Sequence, residues 1–265
     1  MPVLVTAAHQ PLARRIATRL LAEGGEVRAF GHGDTSALRA AGAFVSAGTP
    51  DDEGRLEAAL AEVHTLVHVG GGLTSSPHDI VEHARIVARA ATAAGVRRVV
   101  ALSLPGADPT AGEPLRRAKG LVEAVFAEVP CPTVVVRSSV IDTPALRDAL
   151  VTSGLDADDR GVEVAPVRAS DLVDLVVAFD RARSRRTEGH LVVAADGPER
   201  CTIAAYLERV GAGGPAPTRV GRRLAPAERT DRLRRALHGP WWTEDEVVVD
   251  GWRFAGITPG PPGVG

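Results

Sequence analysis

Lysine is almost missing from this sequence. Lys and Arg together number 31, and Lys119 is the only lysine. A solvated surface accepts either cation, and here it uses arginine. A lone ammonium therefore points to a position that a guanidinium would not suit. Cysteine is equally sparse. Cys131 and Cys201 stand far apart, which excludes a disulfide framework and a thiolate metal site and predicts two reduced thiols. Aromatic residues make up 3% of the chain, so the core must be assembled from Ala, Val and Leu. No apolar run has the length of a bilayer span and no charged-then-apolar signal segment opens the chain. These absences predict a soluble, cytoplasmic protein without a membrane partner. A formal net charge of -2 gives no electrostatic case for nucleic acid either.

What is present is a regular alternation. With 265 residues and 45% hydrophobic content, the chain can build one large domain or a domain with a small appendage. Val3-Leu4-Val5 reads as a strand, Thr6 to Pro11 as a turn, and Leu12, Ile16, Leu20 and Leu21 as one face of a helix. Gly24-Gly25 stops that helix, and Val27 to Phe30 reads as a second strand. Together they make a βαβ unit. The pattern continues through strands at Ala43 to Val45, Thr65 to Val69, Arg98 to Leu102 and Thr133 to Val136. Helices are expected at Thr35 to Ala41, Glu53 to Glu62, Asp79 to Ala94 and Leu115 to Glu128. Strands alternating with helices predict an α/β, Rossmann-like, doubly wound parallel sheet, with ligands beyond the carboxyl ends of its strands.

Past Val140 the alternation loosens. A helix over Pro144 to Val151 and a strand over Val162 to Val164 lead to Ser170-Asp171, expected to cap a helix ending near Ala182. A strand over His190 to Ala194 and a helix from Thr202 to Val210 follow. Gly211 to Pro217 reads as a flexible link and Pro226 to Leu237 as a basic helix before Trp241-Trp242. The expected organisation is a nucleotide-binding-type domain over 1–140, a small C-terminal substrate lobe over 141–258 that partly joins the same sheet, and a disordered tail over 259–265.

On Val3-Leu4-Val5-Thr6, Leu66-Val67-His68, Arg97 to Ser103, Val134 to Arg137 and Val167 to Leu172, the chain resembles the atypical and extended short-chain dehydrogenase/reductase superfamily. It is most similar to the NAD-dependent epimerase/dehydratase and NmrA-like branch. The resemblance spans roughly residues 3–210. It implies a dinucleotide turn of the form Gly-x-x-Gly-x-x-Gly, and those glycines fall on Ala7, Gln10 and Ala13. Ala13 can fill the helix-packing role. Ala7 is acceptable at a negative φ. Gln10 is expected to project where a phosphate would lie, and this weakens the case for NAD(P) as cofactor. Pro11 suits the first helical turn, and the helix end keeps its free N–H groups. The resemblance thus implies a cofactor-binding set of Thr6, Ala7, His9, Gln10, Pro11, Leu12, His32 and Gly70.

The resemblance also implies a Ser, Tyr and Lys relay, the last two spaced Tyr-x-x-x-Lys on one helical face. That window reads Leu115-Arg116-Arg117-Ala118-Lys119. The lone lysine falls on the lysine position, and the tyrosine is replaced by leucine. Tyr206, the sole tyrosine, reads as packing in a late helix. Ser103 is the serine candidate. Lys119, Ser103 and His78 form the catalytic expectation, with Arg137 and Ser138 facing substrate. His9 and His78 suit cleft acid–base work because imidazole titrates near neutrality. His9, His32, His68 and His78 cluster at strand ends, but no carboxylate holds ligand spacing, so no metal is assigned. No Gly-x-Ser-x-Gly elbow accompanies Ser75-Ser76 or Ser138-Ser139, against a serine hydrolase.

The leading expectation is a small-molecule-binding member in which the Ser-Tyr-Lys hydride chemistry has been lost, either a non-redox enzyme or a binding protein. One alternative is an NAD(P)-dependent oxidoreductase or epimerase relying on Lys119. The other is an NmrA-like regulatory sensor. A homo-oligomer is compatible with all three.

Overall fold

Short runs of Val, Leu and Ala form the strands, and Ala-rich amphipathic runs form the helices. The computed structural model describes residues 1–49, 51–73, 75–182, 189–211, 227–243 and 248–263. The elements run β1 (Val3–Val5), α1 (Pro11–Ala22), β2 (Val27–Gly31), α2 (Ser36–Ala40), β3 (Phe44–Ala47), α3 (Glu53–Leu60) and β4 (Thr65–His68). Then come α4 (Pro77–Ala93), β5 (Arg98–Ser103), α5 (Pro114–Ala127), β6 (Thr133–Ser138), β7 (Ile141–Asp142), α6 (Pro144–Thr152) and α7 (Ala157–Gly161). The rest are β8 (Glu163–Val164), β9 (Val167–Arg168), α8 (Ala169–Arg181), β10 (His190–Ala195), β11 (Cys201–Thr202) and α9 (Ile203–Arg209), followed by α10 (Ala227–Leu237), β12 (Val249–Asp250) and α11 (Gly251–Ala255).

Eight strands make one sheet in the order β12-β10-β6-β5-β4-β1-β2-β3, and neighbouring strands are parallel. This is a Rossmann-like α/β fold. The chain leaves β1 for β2 on one side and returns to β4 on the other, so a crevice opens at the carboxyl end of β1. Buried parallel strands present apolar residues to both faces. Val3, Val5, Val67 and Val100 pack against α1 and α8. Leu4, Leu66, Val99 and Ala101 pack against α3, α4 and α5. Small residues bring the helices close, as Ala13 and Ala17 do on α1 and Ala84, Ala88 and Ala91 on α4. Val140, Leu150, Ile203, Tyr206, Leu237 and Trp241 form a third apolar cluster beside the sheet.

Two expectations change. Ser170 and Asp171 do not cap α8; its N-cap is Arg168, and no side chain bonds the first turn. Asp171 instead accepts the N–H of Gly260 at 2.7 Å. The same kind of contact overturns the loose tail for residues 259–263, because the Gly263 N–H reaches Asp142 Oδ2 at 3.1 Å. Two carboxylates on the body thus take up backbone donors that the tail would otherwise offer to water. The expected link over 211–217 and the helix start at Pro226 fall, after Gly211, outside the described residues. Among the described residues no helix is long and apolar enough to cross a membrane.

Candidate functional site

The first βα turn keeps a glycine's shape without its glycines. Ala7 has φ 55°, in the left-handed region, contrary to the negative φ that an alanine there was expected to need. Hydrogen bonds on both sides impose it. Thr6 N–H donates to Val67 O at 3.0 Å, Ala8 N–H to Phe30 O at 3.0 Å, and Gln10 N–H to Ala7 O at 2.7 Å. Gly31 makes this approach feasible, since a Cβ there would stand 2.7 Å from the Ala8 nitrogen. Arg14 reaches back beneath the turn, its Nη2 donating to His9 O at 3.0 Å. Gln10 is the N-cap of α1, with extended backbone and no side-chain cap bond, and Pro11 occupies the first helical position. The amides of Leu12 and Ala13 therefore stand in the first turn of α1 without helical acceptors.

Histidines gather around this turn. The rings of His9 and His32 lie 3.9 Å apart. His9 Nδ1 is buried and has no hydrogen-bond partner. Burial, then His32 and Arg14, hold the His9 pKa below its usual value, so the ring stays neutral near pH 7. His68 ends β4 fully buried, and burial draws its pKa down to about 3, with Lys119 and His83 adding to the effect. Thr6 Oγ1 accepts the Val69 N–H at 3.2 Å and lies 3.2 Å from His68 Nδ1. The hydroxyl proton is thus available to Nδ1, which fixes the ring against the strand end. Ala7, His9, Gln10, His32, His68 and His83 help line a cleft of about 1050 Å³.

A second cavity of about 300 Å³ adjoins it, and Gln10, Gly70 and Gly71 line both. Its walls are largely apolar, with Leu102, Val140, Ile141, Leu146, Leu233 and Trp241 prominent. Lys119 stands at this seam. Its residue is 3% exposed, and Nζ donates to Gly70 O at 2.7 Å and Leu102 O at 3.2 Å. Burial lowers its pKa to about 8, against the opposing pull of Glu123.

The remaining expected residues divide. Ser138 lines the apolar cavity, although its hydroxyl donates to Ser139 O at 3.0 Å. Ser103 also lines it, but its hydroxyl donates to Glu123 Oε1 at 2.5 Å. Arg137, expected to meet substrate, turns away from it. Its Nε and Nη2 bond both Glu123 oxygens at 3.0 and 2.7 Å, and Nη2 also bonds Ala107 O. A half-buried guanidinium beside a buried carboxylate is held there by the pairing. Leu115 is buried in the α4–α5 core, and His78 is exposed at the start of α4, away from the cleft lining. Among the described residues no group of His, Cys, Asp or Glu could hold a metal ion.

Two contributors were not anticipated. Glu123 follows Lys119 by one helical turn, a spacing that the sequence does display. Arg116, also buried, donates to Ala236 O and Pro240 O at 2.9 Å and lies 5.1 Å from the Trp241 ring. It fastens α10 and Trp241 over the apolar cavity. Nothing local in the sequence signals that long-range contact.

Comparison with known proteins bears on this geometry. A family model described as NAD(P)H-binding matches residues 8–173. Among solved structures, the chain is similar to an NADPH-dependent quinone oxidoreductase from Escherichia coli complexed with NADPH. The identity is 17%, over 98% of this chain and 96% of that one, with a TM-score of 0.74. It is similar also to a nucleoside-diphosphate-sugar epimerase from Staphylococcus aureus, at 14% identity over 98% of both chains, TM-score 0.70. The Citrobacter sp. triphenylmethane reductase complexed with NADP(H) is 17% identical over 80% of this chain and 75% of that one, TM-score 0.65. No curated protein matches the sequence.

Proposed function

Because the chain belongs to the NAD(P)H-binding family, we propose that its crevice holds a nicotinamide dinucleotide beside a small molecule in the apolar cavity, without the Ser-Tyr-Lys proton relay. The observation that carries the loss of the relay is Leu115, buried in the core one turn before Lys119, where no ionisable group remains. The Ser103 hydroxyl gives its proton to Glu123, so it offers a reacting oxygen no donor. General acid–base assistance of this kind is worth roughly 10²–10⁴ in rate.

The residues of the turn fit the diphosphate in most respects. Ala7 supplies the left-handed conformation, and the Leu12 and Ala13 amides offer donors at the positive end of α1. The orphaned His9 Nδ1 is a buried polar atom that calls for a partner in the cleft. Carrying its proton on that nitrogen, a neutral His9 would donate to a phosphate or ribose oxygen. Gln10 is the largest opposing element, and its side chain has no cap bond to hold it over the turn. Lys119 stands at the seam, with one Nζ hydrogen left for the small molecule. When bound, a nicotinamide would offer hydride, and in this reading no residue is placed to complete its transfer with a proton. The chain's own residues bind and orient on both sides of the seam and exclude water from the apolar cavity.

A reductase that draws its proton from Lys119 is the second reading. Its support is the burial that brings this amine to about 8, within reach of neutral pH. Calorimetric titration with NADPH and NADH tests the first proposal. Saturable binding of at least one coenzyme is expected, weakened several-fold in His9→Ala. Absence of binding by both would overturn it.

A further inference from the structure

The apolar cavity contains a buried cation with no counter-charge of its own. Lys119 Nζ gives two of its three hydrogens to neutral carbonyls, those of Gly70 and Leu102. Glu123, the acid that acts on it from the same helix, is already committed to Arg137 of β6 and the Ser103 hydroxyl of β5. His68, facing it from β4, is uncharged. A charge is buried at a heavy cost unless it is paired. The third Nζ hydrogen is therefore unmatched beside walls built from Val140, Ile141, Leu146, Leu233 and Trp241. Ser139, whose Oγ accepts the Ala165 N–H, lines the same cavity and still has a hydroxyl proton to give.

We propose that the small molecule of this cavity is a short aliphatic monocarboxylate, its head on Lys119 Nζ and its chain against the apolar walls. The inference rests on the reading that the cavity takes a small molecule, and it specifies the class. One ammonium answers one negative charge, and a dianion such as a phosphate monoester would bring a second charge that nothing in the cavity neutralises. A neutral alcohol or ketone would leave the ammonium as it is.

The test is calorimetry with sodium hexanoate and with 1-hexanol on the full chain. Hexanoate is expected to bind roughly ten- to hundredfold more tightly than hexanol near pH 7, the span of a charge-assisted hydrogen bond. Lys119→Met is expected to erase that difference. A second measurement needs no variant. Near pH 8 the amine is part neutral, and a bound carboxylate favours its charged form. Hexanoate titrated in buffers of different ionisation heat should therefore show net proton uptake, and hexanol should show none. Equal affinity for acid and alcohol, a preference that persists in folded Lys119→Met, or binding without proton uptake would each overturn the assignment. If hexanol binds as well as hexanoate, the small-molecule reading survives and this one falls. If neither binds, both fall.

Discussion

Replacing Ala7 by glycine should stabilise the protein, although it removes a side chain. Ala7 is held at φ 55°, where an L-residue carries about 1–2 kcal/mol of steric strain. Glycine takes that conformation freely but adds about 0.5–1 kcal/mol of unfolded-state entropy. The difference favours Ala7→Gly by about 0.5–1 kcal/mol, which corresponds to a rise of roughly 1–4 °C in Tm for a chain of this size. Glu62, at φ 63° in the turn after α3, provides the control. Its glycine variant should gain similar stability. Only Ala7→Gly, which also clears a methyl from the crevice, should tighten NADPH binding. Thermal unfolding and calorimetry on both variants decide the matter. A Tm for Ala7→Gly several degrees below wild type would refute the strain argument. Equal NADPH tightening in both variants would refute the placement of the phosphate at this turn.

Arg116→Met should cost about 2–4 kcal/mol in urea unfolding, because it leaves the Ala236 and Pro240 carbonyls without their donor. Gly239→Ala attacks the same contact from the other side, since its Cβ would stand 2.0 Å from Arg116 Cζ, and should cost about 1–3 kcal/mol. His68 predicts an acid-sensitive fold. Its folded pKa of about 3 lies below the ordinary 6.5, so below that ordinary value only the unfolded chain takes up the proton. Stability from this group is complete above about pH 6.5 and is lost as pH falls through 3, by roughly 5 kcal/mol in all. His68→Asn should flatten that slope in denaturation curves measured across the interval. Gln10→Gly should leave stability within about 0.5 kcal/mol, because glycine is a tolerated N-cap, and should strengthen NADPH binding.

The alternation of Val-rich strands with Ala-rich helices was legible because a sheet buried on both faces leaves near-continuous apolar runs. The third strand was the weakest in this respect. β3 is an edge strand with Phe44 66% exposed, so apolar content there does not report burial. Lys119 was legible from its isolation and from its spacing within α5. Ala7 was not, because alanine has no preference for the left-handed region. Its conformation comes from the bonds that Thr6, Ala8 and Gln10 make to β4, β2 and the turn itself. Arg137 read as a strand-end group facing substrate. Its inward turn depends on Glu123, fourteen residues earlier on a packed helix. Trp241 and Leu233 reach the cavity from outside the βα units, where no local periodicity announces them.

The claim that the crevice is retained while the relay is dismantled is tested most directly by following NADPH absorbance after the loaded protein meets a panel of simple ketones and aldehydes across pH 6–10. The account predicts saturable coenzyme binding and no oxidation above the rate without protein. Rapid turnover with a titration near pH 8 that disappears in Lys119→Met would contradict it and establish Lys119 as the proton donor.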